Sequence, residues 1–218
     1  ISDETLHFNG ESTLISLQNG GGKSVLVQML TAPFVHPRYR NTKDRLFESY
    51  FTTNKSFFIL VVCALEPRAG YVLTGLMARK SQDMEEDRKE NLDIIGIVSE
   101  YQSPCIQDIH HLPVVEKGKK EMILKNFNSC RQLFETYKKD RDMKFFYYDL
   151  TNYAQSRQYF NKLMEYQINY KEWETIIKKI NLKESGLSDL FADCKDEKGL
   201  TEKWFLEAIE SKLNKDKN

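Results

Sequence analysis

Only four cysteines occur in the 218 residues, Cys63, Cys105, Cys130 and Cys194, and no two form a C-x-x-C pair. That spacing argues against a zinc knuckle and a disulfide framework, and it makes a reducing cytoplasm the expected location. Excess charge is also missing. Lys plus Arg and Asp plus Glu both total 32, so the formal net charge is zero and the chain is no strongly basic nucleic-acid coat. Any DNA contact belongs to a local patch. No apolar run approaches the roughly 20 residues that span a bilayer, the longest being Phe57 to Leu65. No signal peptide opens the chain, no internal repeat or proline-rich linker is found, and the first residue is Ile1 rather than Met, which suggests a fragment or missing residues at the start.

The composition present is that of a globular domain, with 40% hydrophobic and 29% charged residues. Asn9-Gly10 sits between two β-prone runs, Thr5 to Phe8 and Thr13 to Leu17, and predicts a hairpin whose second arm runs into a glycine loop. A short helix is expected over Val25 to Leu30, closed by Pro33. Strands are expected at Phe57 to Leu65, Tyr71 to Met77, Ile94 to Tyr101 and Phe145 to Asp149. Helices are expected at Met122 to Lys139, at Ala154 to Tyr166, and over Glu172 to Leu213 with a turn near Gly186. The charged run Ser81 to Asn91 reads as a solvated loop or helix face. These elements predict an α/β fold with a mixed sheet, a nucleotide-binding lobe over 1–150 and a helical segment over 151–218.

Chemistry concentrates in Leu17-Gln18-Asn19-Gly20-Gly21-Gly22-Lys23-Ser24. Glycines let backbone N–H groups wrap a phosphate where side chains would obstruct them. A lysine directly after them reaches the β- and γ-phosphates, the next hydroxyl binds Mg²⁺, and the new helix turns its positive end to the anion. Gln18, Asn19, Gly20, Gly21, Gly22, Lys23, Ser24 and Val25 are therefore the expected ATP-binding residues, with Ser24 on the metal. The usual pattern is G-x-x-x-x-G-K-[ST], and Leu17 replaces its first glycine.

Asn19 to Ser24 resembles the N-G-x-G-K-S loop of the ABC-type chromosome-maintenance ATPases, the SMC proteins, MukB-type and Wadjet-type condensins and Rad50- and RecF-type repair ATPases among them. Leu17 and Gln18 depart from the Gly and Pro that the family carries. The resemblance implies a P-loop NTPase fold of the ABC/SMC head type and an N-terminal head lobe leading toward a coiled coil. Walker B and signature motifs would then come from a C-terminal lobe, since no Leu-Ser-Gly-Gly occurs here. It further implies ATP and Mg²⁺ as cofactors, a head-to-head dimer, DNA handled through the complex in chromosome maintenance or plasmid defence, no membrane, and little hydrolysis by this chain alone. Arg38, Arg40 and Arg45 occupy the place of an arginine-bearing loop near nucleotide or DNA, with surface charge as the alternative. The stretch Ile180 to Phe191 resembles the segment before the coiled coil but lacks its glutamine. Glu184 or Ser185 would substitute there, unless Gly186 simply marks a helix-ending turn.

The competing reading is a self-contained P-loop NTPase or kinase, with Asp149 after its apolar strand as the Walker B acid and Glu66 as a weaker candidate. The adjacent His110 and His111 lack metal-site spacing and read as solvated loop residues. Trp173 and Trp204 read as helical core. A third class, an interaction protein that merely retains a glycine loop, also stands.

Overall fold

The structure is a computed structural model that describes residues 4–8, 10–18, 22–42, 45–66, 70–81 and 90–181, the last three without their side-chain surroundings. The readings of Asn19, Gly20, Gly21, Glu184, Ser185, Gly186, Trp204 and most of the charged run lie outside these residues. The chain divides into two compact units, 1–173 and 174–218.

In the first unit α1 (Lys23–Thr31) runs into a 3-10 turn (Ala32–Phe34), a one-turn helix α2 (Pro37–Arg40) and a second 3-10 turn (Phe47–Tyr50). There follow β1 (Phe57–Ala64), β2 (Tyr71–Lys80), β3 (Leu92–Tyr101), β4 (Val115–Lys117), β5 (Met122–Leu124), α3 (Phe127–Lys139), β6 (Lys144–Asp149) and α4 (Tyr153–Glu165). The helix α5 (Tyr170–Asn181) crosses into the second unit.

Four strands pair in the order β1-β2-β3-β6, and β4 and β5 form a separate ribbon. Every pairing among the described residues is antiparallel, so the expected mixed sheet is corrected to an antiparallel one. For β1 and β2 the cause is connection length. β1 to β2 turns back within a few residues, and a parallel pair would need a crossover of a dozen or more. The α/β class holds, since helices cover both faces of this sheet.

Residue alternation explains the two layers. Val72, Leu76 and Ala78 of β2, with Ile94 and Val98 of β3, pack under Ala32, Phe34, Phe47 and the α4 residues Tyr159, Phe160 and Leu163. Leu73 and Met77 of β2, with Ile95 and Ile97 of β3, pack under Phe127, Cys130, Phe134 and Tyr137 of α3. Successive side chains point to opposite faces, so a strand buried on both sides reads as a continuous apolar run. Gly96 is the exception required by packing. A Cβ there would lie 2.6 Å from Cδ2 of Tyr159, whose ring occupies that space. The Tyr159 hydroxyl donates to the Pro33 carbonyl at 3.0 Å and ties α4 to the chain that follows α1.

Two other expectations change. The helix predicted from Met122 begins only at Phe127, because Asn126 caps it, its side chain accepting from the Ser129 N–H at 2.9 Å. Met122 to Leu124 instead pairs with Val115 to Lys117. The predicted N-terminal hairpin forms its turn but not its ladder. Glu11 N–H donates to the Phe8 carbonyl at 3.0 Å, and Gly10 takes a φ of 71°. The described residues of both arms pair with nothing as strands.

Candidate functional site

α1 starts differently from the other long helices of the first unit. α3 and α4 carry side-chain caps, Asn126 and Asn152, the latter accepting from the Gln155 N–H at 3.1 Å. α1 has Gly22 at its N-cap, with φ 83° and ψ 20° and no side-chain cap bond. Its first intrahelical bond runs from Leu26 N–H to the Gly22 carbonyl at 2.9 Å. Among the described residues, the N–H groups of Lys23, Ser24 and Val25 therefore have no protein acceptor, which leaves the positive end of the helix open to an anion.

Gly22 is left-handed and Lys23 right-handed, an alternation that turns successive N–H groups toward one side as a concavity for negative charge. A Cβ at Gly22 would meet nothing within 4 Å, so glycine is required there by backbone angle, not by space. Lys23 and Ser24 are exposed, Val25 is half-buried, Gln18 is exposed and Leu17 half-buried. Phosphate oxygens would find the helix N–H groups and the Lys23 ammonium here, and Ser24 Oγ offers a hard oxygen suited to Mg²⁺. Of the loop's described residues, Gly22, Lys23 and Ser24 carry groups of the kind a nucleotide phosphate and its metal require. Among the described residues, no group of three or more His, Cys, Asp or Glu forms a separate metal centre.

The far end of α1 is held by polar groups. Gln28 is buried, donates through Nε2 to the Arg40 carbonyl at 3.0 Å, and accepts from the Tyr50 hydroxyl. Arg40 is itself buried: Nε donates to the Ala32 carbonyl at 3.1 Å and Nη1 pairs with Glu90 Oε2 at 3.2 Å. Burial pushes the Glu90 carboxyl above its ordinary range, against the pull of Arg40. Arg40 is thus a core cation that braces the chain behind α1, and the reading of it as a surface or ligand arginine is corrected. Arg38 is exposed over the Tyr39 ring at 4.7 Å, and Arg45 lies 5.5 Å from the Tyr50 ring centre. The three arginines have separate environments and form no common cluster.

Asp149 ends β6, an edge strand. Its Oδ1 accepts from the Thr151 N–H at 3.0 Å and from the Thr151 hydroxyl at 2.6 Å, so the carboxylate shapes the turn into α4. Glu66 is exposed just past β1. Trp173 stacks on Phe34 at 5.2 Å, in keeping with a core role.

One polar centre escaped the sequence reading. Asp108 is buried and accepts from the backbone N–H groups of Cys105, His110 and His111 and from the His111 ring. Burial opposes its charge, but these bonds outweigh it and hold the carboxyl down at about 2. The two histidines are exposed loop residues, and His111 serves to staple the loop after β3. Only the interval of three between Asp108 and His111 hinted at this. Among the described residues Cys63, Cys105 and Cys130 are free thiols, and burial pushes Cys130 up to about 11 and raises Cys63.

Among the described residues, no helix is long and apolar enough to cross a membrane. No family model, curated protein or solved structure matches the chain.

Proposed function

We propose that this chain is the ATP- and Mg²⁺-binding N-terminal lobe of an SMC-like ATPase head, with a P-loop NTPase fold. The observation that carries the reading is the uncapped N-terminus of α1, where left-handed Gly22 precedes exposed Lys23 and Ser24. A helix start with no acceptor of its own, a cation and a hydroxyl side by side, is the chemistry that a triphosphate and its metal require.

In this role the backbone N–H groups of the first turn hold the β-phosphate oxygens, Lys23 neutralises charge between the β- and γ-phosphates, and Ser24 Oγ takes one metal position. When bound, the triphosphate would supply the phosphoryl group and the metal would offset its negative charge. Asp149 is committed to its turn and Glu66 is solvent-exposed. In this reading the water-directing acid comes from a second lobe, met in a head-to-head dimer that acts on DNA in the cytoplasm, and this chain alone hydrolyses ATP poorly.

Fluorescence anisotropy with a labelled ATP analogue and Mg²⁺ tests the reading. The unmodified chain binds, and Lys23→Ala weakens binding at least tenfold, about 1.4 kcal/mol, while circular dichroism is unchanged. Absence of magnesium-dependent binding by the unmodified chain would remove the reading, leaving an interaction protein with a glycine turn. Vigorous turnover that disappears in Asp149→Ala would favour the self-contained enzyme.

A further inference from the structure

The two edges of the four-stranded sheet are not alike. β6 is six residues long and bracketed by Lys144 and Asp149, charges of the kind that discourage a further strand. β1 is eight residues long, reads Phe-Phe-Ile-Leu-Val-Val-Cys-Ala, and has no charge, proline or glycine along it. Phe57, Ile59, Val61 and Cys63 lie against one core layer and Phe58, Leu60 and Val62 against the other, and none of these side chains is fully buried. Among the described residues, no backbone group pairs with the outer side of β1. An unprotected apolar edge of this length is a template for strand addition.

The same unit holds a segment with the complementary deficiency. Residues 4–8 and 11–17 are rich in Thr, Leu, Ile and Phe, the turn between them is closed by the Glu11–Phe8 bond, and yet the arms form no ladder. Their apolar side chains face solvent, Leu6 at 44%, Phe8 at 41%, Ile15 at 38% and Leu14 at 94% exposed. A two-stranded hairpin is marginal alone in water and needs a third strand to become stable.

We propose that the hairpin of residues 4–17 is the occupant of the β1 edge, adding its strands to the sheet and covering the apolar rims of both core layers. Three features favour it over an outside partner. It is tethered to the same chain, which gives it a high effective concentration at the edge. Its turn is already formed, so little loop entropy remains to be lost. Its arms carry the β-branched and aromatic residues that an added strand needs at both faces. Docking would also set Leu17 at the end of a sheet strand ahead of α1, a consequence that bears on the nucleotide reading, whereas docking itself does not rest on that reading.

Amide hydrogen exchange on the full chain, without nucleotide, decides the matter. The outward-facing amides of β1 exchange at least tenfold more slowly in the intact chain than in a variant lacking residues 1–18. The double variant Leu6→Pro/Ile15→Pro, which keeps the length but removes two donors, behaves like the deletion. Unaltered protection of β2 and β3 amides reports that the sheet remains folded in both. Equal β1 rates in all three proteins overturn the proposal. Protection that appears only as protein concentration rises overturns it too, and assigns the edge to a second copy of the chain. Because ATP is absent, failure here leaves the nucleotide reading to its own binding test.

Discussion

The middle of the sheet and the stretch before α1 are built from similar residues and reach opposite states. In β2 and β3, Leu73, Leu76, Met77, Ile95 and Ile97 are at most 2% exposed, held between α3 and the layer of α4 and the chain after α1. In residues 4–18, leucines and a phenylalanine of the same hydrophobicity stand in solvent. The difference is one of neighbours, not of composition. A strand with a ladder on both sides and a helix over each face is complete, whereas a hairpin with neither retains its apolar surface for something else.

The sharpest way to break the complete region is Gly75→Ala in β2. A Cβ there would lie 2.0 Å from the Ile59 carbonyl oxygen and 2.9 Å from Leu60 Cα, both backbone atoms that cannot yield without parting β1 from β2. Urea denaturation is expected to show a loss of at least about 4 kcal/mol, or no folded protein at all. A near-wild-type midpoint would mean that β1 is held loosely enough to slide, and the contrast between edge and centre would have to be redrawn.

Next in size is the brace behind α1. Arg40→Met removes the partner of a buried carboxylate and should cost about 3–5 kcal/mol, chiefly because Glu90 is left charged in a dry place. The double variant Arg40→Met/Glu90→Leu should recover much of that loss, since apolar residues tolerate the site as the lone acid does not. The same single change, read at a pH low enough to protonate Glu90, should be milder. Thermal melts of the single and double variants check both statements.

These two residues also mark what the sequence could and could not reveal. The apolar runs Phe57 to Leu65, Tyr71 to Met77 and Ile94 to Tyr101 announce strands, because burial on both faces leaves no polar alternation to misread. The helices α3 and α4 were legible from their periodic apolar residues, though the start of α3 was displaced until Asn126 was recognised as its cap. Arg40 was not legible: it sits in a polar run between Arg38 and Arg45, and its partner Glu90 is 50 residues away at the end of a charged stretch. Local pattern carries no signal of such a pairing. The β4–β5 ribbon was missed for a similar reason, since three-residue strands flanking a lysine-rich turn look like solvated loop. At the candidate site, the order of glycines, lysine and hydroxyl was plain in the sequence, while the left-handed Gly22 at the N-cap of α1 needed the backbone.

A smaller effect sharpens the comparison between helix starts. Asn126→Ala deprives α3 of its cap and should cost about 1 kcal/mol, the ordinary value for such a change. Among the described residues no side chain performs that service for α1, whose N-cap is the left-handed Gly22. The capped start contributes stability, and the start of α1 carries no such side-chain contribution among the described residues.

Lys23→Ala, the smallest expected change in stability, makes that distinction measurable. Lys23 is exposed, takes part in no described ion pair, and stands at the positive end of its helix, where a cation is if anything unfavourable. Its removal should therefore leave the urea midpoint within about 0.5 kcal/mol of the unmodified chain. A side chain that contributes nothing to folding, yet whose loss weakens nucleotide binding tenfold, is placed for an anion. Should the substitution instead destabilise the fold by as much as Asn126→Ala does, Lys23 would belong with the caps, and the start of α1 would be structural like those of α3 and α4.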